Sequence, residues 1–377
     1  MCKVYCFLIV AFVLANGCTS RSSSSKQEAA DSIAVEELVA VATARELLPL
    51  ASEEIVLEDD AFGSIIELKG EQKILDCEPF KLSEPEMWFK DGYFLMQNLV
   101  HEGMMYMLFR MPDFEHVTSF GQRGNGPDEF LFPHIVPTSR ENVLAYTYEE
   151  KKEKLYEISF DGTYKQVPAQ FEKVKNAVRS DKRIFAAEDD TYYYAEYIRQ
   201  GKALFKAQMV GDSLQTEQLI NLGFSPKHKS WSAYIGDFLC HPQAKRLVHV
   251  YKYFKRILIF DPETKAEKVV RFNKDGVVAA NDIVTLGPDN VTYYWGASSS
   301  ANYIYLTYSG RTPIVVTREN GKTDGYIFVE QFDWNGTPIR KFRLDHWGPT
   351  YVNEETKKIY QLSYKYDDPL FVYDLPE

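Results

Sequence analysis

KLYEISFDGTYKQV (154–167), RILIFDPETKAEKVVRF (256–272) and YIFVEQFDWNGTPIRKFRL (326–344) are three copies of one pattern. In each, a strand of alternating apolar residues runs into a turn built on Asp with Gly or Pro, and a second strand follows. MYMLFRMPDFEHVTSFG (105–121) and LFKAQMVGDSLQTEQLINL (204–222) are weaker copies, and LFVYDLPE (370–377) is a sixth that stops where its turn should begin. An inner-strand run precedes each copy: GYFLMQNL, VLAYTYEE, TYYYAEYI, KRLVHVYKY, NYIYLTYS and KIYQLSYK. No helical period survives beyond residue 52, and nearly all of the 25 Tyr and 24 Phe lie beyond it, in short runs rich in Val, Ile, Tyr and Phe. Six units over residues 52–377 give a period near 50 residues, the spacing of propeller blades. Seven blades would need units of about 46 residues, and no seventh unit is visible. The chain is predicted to be an all-β, six-bladed β-propeller over 52–377.

The truncated sixth unit leaves one strand edge without a partner. FGSIIELKGEQKILDC (62–77) has strand character but no blade of its own. Residues 62–70 are therefore expected to pair with 369–375 and join the two ends of the chain. That closure places Cys77 near the junction of the last and first blades and Cys240 in the fourth, far beyond the ~7 Å a disulfide spans. Both are expected to be free thiols.

The chain opens MCKVYCFLIVAFVLANGC (1–18). Its apolar run, Val4 to Leu14, is far short of the roughly 20 residues that span a bilayer, but it matches the h-region of a signal peptide. Leu14-Ala15-Asn16-Gly17-Cys18 resembles the lipobox of bacterial lipoproteins. That resemblance implies removal of residues 1–17, lipidation of Cys18 and contact with the membrane through the lipid alone. TSRSSSSKQEAA (19–30) reads as a flexible tether, and Asp31 or Ser32 can cap a short helix reaching Leu48 before Pro49. Tether and helix together occupy 18–51. The lipoprotein resemblance implies that surface-exposed members often carry acidic residues after the cysteine. TSRSSSSK therefore implies an outer-membrane protein facing the periplasm, with the cell surface as the alternative.

Lys and Arg number 43 against 54 Asp and Glu, a net charge of −11 that becomes −12 once Lys3 leaves with the signal. Phosphate backbones demand a basic surface, so no nucleic-acid partner is expected. Beyond residue 18 only Cys77 and Cys240 remain, which excludes a disulfide scaffold.

SFGQRGNGPDEFLF (119–132) is the one sharp motif. Glycines at 121, 124 and 126 before Pro127 describe a tight loop with left-handed backbone. A phosphate loop would need a following helix and a Lys, and neither is present. The pattern F-G-x-x-G-x-G-P-x-E-F resembles a signature between blades of the six-bladed propeller lipoproteins of Bacteroidetes, a TolB-like or NHL-like group. The resemblance implies the propeller fold and export, and assigns no activity. A structural role has Phe120 and Phe130 pinning the crossover between blades. A functional role has Arg123 and Asn125 projecting to a ligand.

The seven histidines form neither H-x-H nor H-E-x-x-H, so no metal site is written locally. No G-x-S-x-G elbow or calcium loop occurs, and no cofactor is expected. His241 and His249 are expected at the surface or core edge. Carboxylate pairs such as Glu149-Glu150 and Asp189-Asp190 point to opposite faces of a strand and read as turns and solvated edges. The five tryptophans are spread over most of the blades, and Trp231 and Trp295, near Ser and Gly in loop-like contexts, are the best candidates for exposure. The chain is thus expected to be a lipid-anchored binding or scaffold protein for a glycan, peptide or protein partner. The alternative is a propeller enzyme, a lyase, hydrolase or sugar dehydrogenase acting on extracellular carbohydrate at the central channel. Three or more His, Asp, Glu or Arg side chains meeting at one channel mouth would favour that alternative.

Overall fold

The computed structural model describes residues 46–75, 85–97, 103–171, 182–198, 201–228, 230–277, 283, 287 and 289–377. Three short strands come first: β1 (Glu53–Leu57), β2 (Ile65–Leu68) and β3 (Glu71–Gln72). Blade one follows as β4 (Glu86–Lys90), β5 (Tyr93–Gln97), β6 (Met104–Arg110) and β7 (Glu115–Gln122). Blade two is β8 (Pro133–Val136), β9 (Ala145–Glu149), β10 (Lys154–Ile158) and β11 (Tyr164–Gln170). Blade three is β12 (Arg183–Ala186), β13 (Thr191–Ile198), β14 (Gly201–Val210) and β15 (Ser213–Asn221). Blade four is β16 (Gly236–Cys240), β17 (Leu247–Tyr251), β18 (Arg256–Phe260) and β19 (Glu267–Phe272). Blade five is β20 (Thr292–Ser299), β21 (Tyr303–Arg311), β22 (Ile327–Asp333) and β23 (Pro338–Leu344). Blade six is β24 (Thr350–Asn353), β25 (Lys358–Leu362) and β26 (Leu370–Asp374), with β3 as its fourth strand.

The protein is a six-bladed β-propeller. All six repeat copies read from the sequence are the outer part of a blade, from β6–β7 in blade one to the lone β26 in blade six. The runs that precede them are each blade's second strand, not the innermost one. The innermost strands β4, β8, β12, β16, β20 and β24 begin at the same mouth of the ring, because four antiparallel strands return the chain to its starting side. One α-helix, α1 (Pro313–Asn320), is inserted between β21 and β22, and its Thr312 hydroxyl accepts from Val315 N at 3.3 Å.

Ring closure differs from expectation. Residues 65–68 do not reach the sixth blade; β2 lies parallel to β23, from Ile65↔Lys341 to Leu68↔Leu344. The pairing with β26 is made two residues later, Glu71↔Val372 and Gln72↔Phe371. β1 lies parallel to β19, from Glu53↔Lys268 to Leu57↔Phe272. One segment therefore straps the outer edges of blades four, five and six in succession. The reason is steric and local: Gly70 turns the chain against Tyr373, where an added Cβ would fall 2.5 Å from the ring, and its N–H donates to Asp345 Oδ1 at 3.1 Å. Between β1 and β2, Phe62 wedges beside Phe332 (centroids 5.1 Å) and Phe272 (6.0 Å).

Aromatic rings close the seam between blades six and one: Phe89 stacks on both Phe94 and Tyr360 at 4.4 Å. Of the helix expected to end at Leu48, only residues 46–48 are described, and they are irregular. Leu48 N donates to Asn335 Oδ1 at 3.2 Å, and Arg246 Nη2 donates to Leu48 O at 2.6 Å. Cys240 is a buried free thiol in blade four; Cys77 and Cys18 lie outside the described residues.

Candidate functional site

The six innermost strands surround a cavity of about 710 Å³. The innermost strands pack against those of the neighbouring blades and border the cavity, so the side chains they carry shape what it can hold. The wall formed by blades one to three carries Glu86, His134, Lys182 and Arg183, and the opposite wall carries Trp295, Trp347 and Tyr351. Gly236 lines the cavity where β16 meets β17; a Cβ there would fall 1.9 Å from the Val250 carbonyl oxygen.

The charged wall is a network of ion pairs and hydrogen bonds. His134 Nδ1 donates to Glu86 Oε1 at 2.9 Å, and His134 Nε2 lies 3.4 Å from Glu150 Oε2. Arg183 Nη1 donates to the same Glu86 Oε1 at 2.7 Å, and Ile135 N donates to Glu86 Oε2 at 2.6 Å. Glu86, His134 and Arg183 stand at the starts of β4, β8 and β12, so one carboxylate braces three blades. Burial alone would raise the Glu86 pKa, but the charges and hydrogen bonds of His134 and Arg183 hold it down at about 2. Burial would likewise lower His134, yet the Glu86 carboxylate raises it to about 9. Deeper in the same wall Lys182 Nζ meets Glu196 Oε1 at 2.5 Å, the two side chains only 1% and 5% exposed.

Trp231 and Trp295 both line the cavity. Trp231 opens a 3-10 turn, Trp231–Tyr234, and its ring lies 4.6 Å from that of Tyr197. Trp295 is in a strand, not a loop: β20 carries it beside two register shifts, at Thr292/Tyr294 and Tyr294/Gly296. It meets Trp347 edge-on at 5.3 Å, and Lys252 Nζ sits 4.9 Å from its ring centre. Among the described residues its indole nitrogen has no hydrogen-bond partner.

Arg123 and Asn125 are exposed and are not part of the cavity lining. Their loop is the crossover from β7 to β8. Phe120 and Phe130 are buried around Tyr106, at 5.2 and 6.0 Å, and Gly121 takes φ +75°. Gly126 N donates to Glu129 Oε2 at 2.6 Å, and a Cβ on Gly124 would fall 1.9 Å from that same oxygen. The glycines therefore make a cradle for one carboxylate.

Two readings of individual residues are corrected. His241 and His249 are buried, each with a ring nitrogen on a carbonyl oxygen, Ala301 at 3.3 Å and Tyr234 at 3.2 Å. Those partners make burial tolerable for an imidazole, and burial pushes His241 down to about 4. Glu149 is fully buried and accepts from Leu131 N at 2.8 Å and Phe132 N at 3.1 Å, holding the crossover instead of facing solvent. Glu86, Arg183 and His134 were not legible as a site, since 48 residues separate the first from His134 and 97 from Arg183. The signal that could have found them is the blade period itself: each stands about one repeat after the last. Among the described residues no group of three or more His, Cys, Asp or Glu is placed to hold a metal ion.

The family described as TolB-like 6-blade propeller-like matches residues 73–356, and the chain belongs to it. No curated protein matches the chain by sequence. The fold is similar to that of a DUF4221-family protein from Bacteroides vulgatus, with 9% identity, a TM-score of 0.54 and coverage of 82% of this chain and 98% of that one. It is also similar to a predicted exported protein from Bacteroides fragilis, with 9% identity, a TM-score of 0.50 and coverage of 87% and 99%. At such identity these likenesses concern the fold alone. No described helix is long and apolar enough to cross a membrane.

Proposed function

We propose that this member of the TolB-like propeller family is a non-enzymatic binding protein whose central cavity takes a short glycan. One observation carries the reading: four of the five tryptophans, Trp88, Trp231, Trp295 and Trp347, line a single cavity. Indole faces stack on the apolar faces of sugar rings, and a polar wall opposite supplies hydrogen bonds. A volume of about 710 Å³ falls within the ordinary range of small-ligand sites. That favours a small ligand over a folded protein partner.

The convergence of Glu86, His134 and Arg183 favours the enzymatic alternative on geometry. Their titration weighs against it. A general base or acid works best with a pKa near the working pH. Here the carboxylate is held near 2 and the imidazole near 9 by each other, which suits a brace between blades. Sustained turnover of a defined carbohydrate by the purified protein would reverse this preference.

A glycan array followed by calorimetry tests the reading. Trp295→Ala and Trp347→Ala are each expected to weaken binding at least tenfold while the fold persists, as truncation of a buried aromatic anchor does. Unchanged affinity in both would sink the proposal. The same reading places the ring outside the cytoplasm, tethered through lipid on Cys18 to the outer membrane with its body in the periplasm. Supporting this is the signal-like segment 1–17 with Cys18 directly after it. Cys18→Ala should shift the protein from the membrane to the soluble fraction of lysed cells.

A further inference from the structure

We propose that the cavity selects an electrically neutral oligosaccharide and discriminates against uronate, sulfated and amine-bearing sugars. The inference rests on the glycan reading above and adds the ligand's charge class.

Its basis is the way the charged wall spends its charges. Four cationic groups line the cavity: His134, Lys182 and Arg183 on the charged wall, and Lys252 beside Trp295. Glu86 and Asp237 line the cavity with them, and Glu150 and Glu196 stand directly behind. Four positive groups thus face four negative ones. The pairing is direct for most: Glu86 receives both His134 and Arg183, Glu150 contacts His134, and Glu196 holds Lys182. Such a wall presents a ligand with oriented dipoles and hydrogen-bonding edges, not with a net charge seeking a counter-ion.

The consequence follows from desolvation. A charged group leaving water for a partly apolar cavity is costly unless it meets an opposite charge. Capturing a carboxylate at the Glu86 network would mean taking Arg183 or His134 away from Glu86, and leaving that carboxylate short of a partner. An ammonium would face the mirror problem. Hydroxyl groups need no such exchange, because they both donate and accept. The net charge of −11 over the whole chain adds long-range repulsion against anions. A neutral, polyhydroxylated ligand with flat apolar faces is therefore the best match to both walls at once.

The experiment uses the full chain, purified in detergent, with matched sets of oligosaccharides of equal length: neutral, uronate, sulfated and amino. The neutral member is expected to bind at least tenfold more tightly than each charged counterpart. Its affinity should change less than twofold between 50 and 500 mM NaCl. A charged counterpart that binds as tightly as the neutral sugar, with affinity falling steeply as salt rises, would overturn the inference and leave the glycan reading standing. Binding by none of the sets would remove the glycan reading and the inference together. Asp237→Asn takes one carboxylate from the cavity lining and leaves Glu86 itself in place. It should narrow the gap between the uronate and the neutral sugar by threefold or more, and an unaltered gap counts against charge balance as the cause. Glu86→Gln is a stronger form of the same test wherever the variant remains folded.

Discussion

The two halves of the ring solve different problems. Blades one to three contribute the charged side of the cavity, and among the described residues no further strand lies beyond their outer strands β7, β11 and β15. Blades four to six contribute Trp295, Trp347 and Tyr351 to the cavity, and each has its outer edge covered by β1, β2 or β3. The half braced from inside by Glu86 is thus not the half strapped from outside. Ion pairs hold the inner brace; the strap combines short ladders, ion pairs and one buried ring.

Magnitudes separate these contributions. Along the strap, Glu54 reaches Arg256 at 3.0 Å and Arg271 at 2.7 Å, Glu53 reaches Lys268 at 2.9 Å, and Glu67 reaches Arg343 at 2.7 Å. The carboxylates are 44–65% exposed, and such pairs contribute about 0–1 kcal/mol each. Phe62, by contrast, is 7% exposed between two phenylalanines. Burial of one ring outweighs any single pair. Phe62→Ala is accordingly expected to cost about 3 kcal/mol, the largest single effect on the strapped half, measured by urea unfolding. A loss under about 1 kcal/mol would mean that the ladders and ion pairs alone hold the strap.

The braced half should reveal itself through pH. Glu86, lowered from 4.5 to about 2, contributes stability that is present above pH 4.5 and lost as pH falls towards 2. His134, raised from 6.5 to about 9, contributes stability that is full below pH 6.5 and lost as pH rises through 9. Thermal stability should therefore be greatest between those limits, with an alkaline decline of at most about 3 kcal/mol. Glu86→Gln should flatten that alkaline limb; an unchanged limb would show that another group is responsible. The smallest effect belongs to the crossover between blades one and two. Replacing Arg123 and Asn125 together with Ala should move stability by under about 0.5 kcal/mol and leave glycan affinity unchanged, since both are exposed and apart from the cavity. Lost affinity in that variant would relocate the site to the crossover.

Much of this architecture was legible residue by residue. Alternating apolar residues with an Asp-Gly or Asp-Pro turn identify a hairpin from its own neighbours, and so the outer part of each blade could be placed and counted. Four of the six innermost strands escaped because they are short and mixed: EMWFK, PHIV, RIFA and TYVN show no clean alternation. Trp231 and Trp295 were recognisable as ligand candidates by residue type, though the strand context of Trp295 was not. Glu149 and the buried pair His241 and His249 were misplaced because their partners are backbone groups, which leave no mark in a sequence.

Local pattern, then, determined the all-β character, the blade count, the phase of the repeats and the expectation of export, because each depends on contiguous residues. Tertiary structure alone decided where the first strands go, which side chains from successive blades face one another, and the state of charge at Glu86 and His134. Those properties arise from groups brought together across tens of residues, where distance and burial set the energies. Chain order carries no direct record of either.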